Sequence, residues 1–148
     1  MAHPYDAENE HSAAELRALV SRLSEAQLRA EVGGGWTVGT VLAHLAYWDR
    51  RVAGVCALWQ RGLRTYPSPP DDAIDVAAND ALEPLLRLVP PGDAARSSVE
   101  AAEAANAALA GLSPEHAQWA MAIDSPIVAN RSGHRGEHIA QIEAALRG

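Results

Sequence analysis

Apolar residues recur every three or four positions along almost the whole chain, and no stretch alternates with the period of two that a strand requires. That spacing confines the chain to an all-α fold, cut into helices wherever glycine and proline interrupt it. Leu16, Leu19, Val20 and Leu23 form one stripe on a helix from about Ser12 to Glu31. Gly33-Gly34-Gly35 ends it, since each glycine costs a helix about 1 kcal/mol relative to alanine. Thr37 is placed to cap the next helix, with Trp36 before the cap and Val41 inside as the two halves of a hydrophobic staple. The stripe Val38, Val41, Leu42, Leu45, Trp48, Val52, Val55, Trp59 then runs to about Leu63, and the proline-rich stretch 66–72 is a loop by composition.

Beyond the loop, Ile74 to Val89 has helical spacing but must kink or restart at Pro84. Pro90-Pro91-Gly92 breaks it, and Asp93 is positioned to cap an alanine-rich helix over Ala95 to Ala110, with Gly111 just past its end. Ser113-Pro114-Glu115 opens a short helix through about Met121. A last helix runs from about Ile127 or Arg131 to Leu146. Four main amphipathic helices with one or two short extra helices in the middle predict a four-helix bundle, one domain over 1–148.

Composition narrows the chemistry. All 12 basic residues are arginine, against 19 Asp plus Glu, for a formal net charge of −7. That balance opposes a nucleic-acid or anionic-membrane partner, both of which need a basic face. Without lysine the chain can form neither a Schiff base nor a Walker loop. The lone Cys56 excludes an internal disulfide framework and a thiolate zinc cluster, and it reads as a core residue. No apolar run approaches a membrane span and the first ten residues are polar, so the expectation is a cytoplasmic protein with no signal peptide.

Histidines carry the chemistry that remains. His134 and His138 stand at i, i+4, leaving the last helix on one face along what reads as its buried stripe, toward Ile142 and Ala145. His44, between Val41 and Trp48, lies at the edge of its own helix's core face. In a bundle such groups can meet, and three imidazoles with a fourth position left open are the arrangement of a catalytic zinc site. Spacing alone is equally consistent with core histidines whose ring nitrogens are satisfied by hydrogen bonds. His3, His11 and His116 read as surface residues. The string His134-Arg135-Gly136-Glu137-His138 also spells an inverted zinc-peptidase signature, but only ten residues follow it and a bundle offers no strand to align a peptide.

Gly-Trp-Thr-Val at 35–38, His44-Leu45-Ala46 with Trp48-Asp49, and HRGEHIAQ from His134 to Gln141 together resemble the DinB/YfiT-like metalloenzyme superfamily. Its relatives include the N-terminal domain of mycothiol-dependent maleylpyruvate isomerase and the bacillithiol S-transferases. The resemblance covers the chain in order and implies a four-helix bundle, often a homodimer, with three histidines holding zinc or nickel. By position the ligands match His44, His134 and His138. It further implies a thiol-dependent transferase or isomerase acting on a small electrophile, with a low-molecular-weight thiol as cofactor. Gln141, one turn beyond His138, is the first candidate to orient an imidazole. Arg51, two turns beyond His44, is a candidate contact for an anionic cofactor or substrate, against its reading as a surface arginine. Glu137 reads as solvated, and Trp36 and Trp48 as staple and core. Other outcomes left by the sequence are a metal-dependent hydrolase and a non-catalytic ligand-binding or stress-response bundle.

Overall fold

The computed structural model describes residues 2–63 and 72–148. It is an all-α bundle of α1 (Asp6–Ser21), α3 (Val38–Gln60), α5 (Pro91–Ala110) and α7 (Ser132–Arg147), with α2 (Glu25–Leu28), α4 (Asp72–Leu86) and α6 (Pro114–Met121) in the connections. Each of α1 and α3 packs against both α5 and α7, so the four long helices close a ring. The alanines of α5 let it lie close on α3: Ala94, Ala95, Ala101, Ala102 and Ala105 are all buried. A Cβ on Gly39 would meet Pro91 at 3.2 Å, which shows how tightly the starts of these two helices approach.

The caps follow local chemistry. Thr37 accepts from the Thr40 amide, Ser113 from the His116 amide, and Ser24 forms a capping box with Gln27. Asp93 does not cap α5; Pro90 precedes the first turn, and Asp93 instead pairs with Arg96. Pro84 sits inside α4, near its end. The proline-rich loop, apart from Asp72 at the start of α4, lies outside the described residues.

One expectation needs correcting. The first long helix stops at Ser21, and a two-stranded antiparallel hairpin, β1 (Glu31–Gly33) and β2 (Trp36–Thr37), leads into α3. Gly34 and Gly35, at φ +59° and +79°, make its turn in a region that disfavours side chains. The glycines therefore reverse the chain rather than merely ending a helix, and strands this short carry no alternation to read.

Two apolar clusters fill the interior. One gathers Leu16, Leu19, Val41, Leu42, Leu45 and Ile142; the other gathers Val52, Cys56, Trp59, Leu109 and Leu112. Between Leu45 and Val52 on α3 stands Asp49, fully buried, and a polar layer crosses the bundle at its level. Among the described residues no helix is long and apolar enough to cross a membrane.

Candidate metal centre

His44 lies in the first half of α3, buried at 5% exposure, while His134 and His138 lie in the first two turns of α7. The three rings meet edge to face with centroids 4.8–5.1 Å apart. One nitrogen from each lies within 4.8 Å of the others, the only such group found among the described residues. His44 Nε2 and His134 Nε2 are 3.1 Å apart. Zn–N bonds of about 2.0–2.1 Å at tetrahedral angles put two ligand nitrogens roughly 3.3 Å apart, so this edge already has the right span for an ion.

Hydrogen bonding sets the protons on these rings. The Gln141 carbonyl oxygen accepts from His138 Nδ1 at 2.8 Å, which leaves the other ring nitrogen of His138 unprotonated and ready to ligate. Arg131 Nη2 donates to His134 Nδ1 at 3.2 Å, because a guanidinium has no acceptor to offer. The His134 proton is then on Nε2, donated to His44 Nε2, and the His44 proton falls on Nδ1. That is the buried side-chain atom left without a partner. A neutral His134 that gives Nε2 to an ion must carry its proton on Nδ1, facing the Arg131 donor, so ligation and the Arg131 contact compete.

Electrostatics keep the buried rings neutral. Burial, then His138 and Arg131, pulls His44 down to about 4. Burial, then Arg131, His138, His44 and Arg135, pulls His134 down to about 3. Neutral imidazole is the form a metal requires.

Arg131 is held from behind by the polar layer. Asp49 accepts from Arg131 Nε at 2.8 Å on one oxygen and from Arg135 Nε at 3.0 Å on the other. Arg135, fully buried, also donates to Asn9 O, Ser12 Oγ, Asn106 Oδ1 and Ala102 O. Sequence reasoning missed this network. Its signal was present: Asp49 falls on the apolar stripe of α3, where a carboxylate demands a cation, and Arg135 is spaced with Ile139 and Ile142. Those three residues form the buried face of α7. His134 and His138 stand beside that face, half-buried, rather than on it.

The open side of the triad faces a cleft of about 1290 Å³ whose walls include Trp36, Trp48, Arg51 and Gln141. Both indoles meet His44 edge-on, at 5.6 and 6.4 Å, so they line the site as well as packing. Asn79, from α4, accepts from Trp48 Nε1 at 3.0 Å and was likewise unforeseen. Arg51 is half-buried in this wall rather than lying on an open surface. Glu137 is exposed at the rim. Of the other histidines, His11 is exposed, but His3 bonds Leu112 O and His116 packs at a tilt against Trp59 and Trp119, so both are half-buried structural residues. Cys56 is buried in the core and its thiol is pushed up to about 11 by that burial.

Comparison with curated proteins and with solved structures returns no match. The family model of the DinB superfamily matches residues 8–142, which take in the hairpin, α3 and α5 entire, most of α1 and α7, and all three histidines. With that match over nearly the whole length, the chain belongs to the DinB superfamily.

Proposed function

We propose that the chain binds one divalent metal ion, zinc or nickel, through His44, His134 and His138, and joins a small-molecule thiol of the mycothiol or bacillithiol type to a small electrophile. The observation that carries the reading is the convergence of three imidazoles at the floor of a cleft, two of them neutral to well below pH 6 with facing nitrogens 3.1 Å apart. When bound, the ion supplies an open coordination position that acidifies a thiol at neutral pH. The residues of the chain do the rest. Gln141 fixes the His138 ring, and Asp49 fixes Arg131 behind His134. Trp36 and Trp48 line the cleft beside the histidines with aromatic surface. Cys56, buried and with a raised pKa, is no nucleophile, so the sulfur comes from outside.

The test is an assay of zinc-loaded protein against thiol and electrophile pairs, with epoxides, quinones and activated alkenes as acceptors. Turnover that disappears in His138→Ala supports the proposal. Zinc that raises the melting temperature with no turnover on any pair would replace it with a non-catalytic binder.

A further inference from the structure

We infer that Arg51 anchors a carboxylate on the small molecule that binds at the histidine centre, an inference that rests on the metal reading above. The Arg51 guanidinium carbon stands 5.7 Å from the Trp48 ring centroid, and the His44 ring stands 6.4 Å from that same indole. Arg51 and the histidine centre therefore lie at most about 12 Å apart along one aromatic wall, the length of a small organic molecule. Both elements of the wall are fixed: Asn79 holds the indole N–H, and Arg51 Nη1 donates to Pro126 O at 2.7 Å.

Among the described residues Arg51, Arg61 and Arg147 enter no salt bridge, and of the three only Arg51 is half-buried rather than exposed. Arg131, the other arginine of the cleft, is paired with Asp49, which it shares with Arg135, and the salt bridges on the surface engage Arg17, Arg22, Arg29, Arg50, Arg87 and Arg96. Among the described residues no carboxylate comes within ion-pairing distance of Arg51, although it is half-buried beside a cleft. A guanidinium with one nitrogen engaged keeps a two-donor edge, which matches the two oxygens of a carboxylate. A phosphate dianion fits less well, because Asp75 and Glu137 also line the cleft and oppose a second negative charge.

The experiment loads the protein with cobalt(II) and titrates it with 6-mercaptohexanoate and with 6-mercaptohexanol, following the thiolate-to-cobalt absorption band. These probes share sulfur and chain length and differ in the terminal charge. The acid should bind at least tenfold more tightly than the alcohol, and the preference should fall below twofold in Arg51→Gln. Arg51→Lys should keep part of it, having the charge without the fork. Unchanged cobalt uptake in both variants certifies that they fold. Equal binding of acid and alcohol, or a preference that survives Arg51→Gln, overturns the anchor and leaves the metal reading standing. Absence of cobalt uptake by the wild type overturns the metal reading and the anchor with it.

Discussion

Arg135 and His134 are neighbours on α7, yet the clusters they belong to treat hydrogen bonds in opposite ways. Around Arg135 every group is met: Asp49 gives an oxygen to each of two arginines, Asn9, Ser12 and Asn106 accept from Nη1, and the Ala102 carbonyl accepts from Nη2. Beside His134, whose two ring nitrogens meet Arg131 and His44, the bonding is incomplete at His44. Two imidazole nitrogens face each other, and His44 Nδ1 is buried with nothing to receive its proton. A saturated polar layer is a structural element that keeps two apolar clusters in register. The histidine cluster beside the cleft keeps one buried nitrogen unpartnered and brings together three imidazoles that could hold an ion.

The sharpest way to break this contrast is to remove Asp49. Asp49→Ala strands two buried guanidinium groups, so urea unfolding should show a loss of about 3–5 kcal/mol. A loss below about 1 kcal/mol would mean that the layer is not structural. His138→Ala should do the reverse: zinc affinity falls at least about a hundredfold by competition titration, while metal-free stability moves by less than about 1 kcal/mol. Gln141→Ala removes the acceptor that orients His138 and should weaken zinc about tenfold. Arg131→Gln sharpens the comparison because its effects have opposite signs. Its amide oxygen can accept the His134 Nδ1 proton, so zinc affinity should rise severalfold even as the loss of a partner for Asp49 lowers stability.

A further expected effect is a pH slope in the metal-free protein. The folded pKa values of about 4 and about 3 lie below the ordinary 6.5, so below that value the unfolded chain binds more protons. Stability from these neutral rings is complete above about pH 6.5 and declines as pH falls toward 4. His44→Ala should flatten this decline in urea titrations between those limits.

Much of the triad was legible because its elements are local. A pair at i, i+4 shares a helix face whatever the fold, and His44 sits among apolar neighbours that must point inward. The Thr37 and Ser113 caps were legible for the same reason. The hairpin was not, since five strand residues are too few to show a period. The inward face of α7 was marked by Arg135 in step with Ile139 and Ile142, but a charged residue on that stripe reads as a break in it until Asp49, on the stripe of α3, is seen to meet it across the bundle. That pairing turns His134 and His138 aside toward the cleft. The saturation of the layer and the openness of the triad are properties of packing, visible only once the helices are assembled.

The most direct test of the central claim is elemental analysis of protein purified without chelator or a nickel column, with His44→Ala and His138→Ala alongside. The account predicts about one zinc or nickel per chain in the wild type and none in either variant. A wild type that holds no metal even after incubation with zinc would contradict it, and the three histidines would then be packing residues beside a cleft.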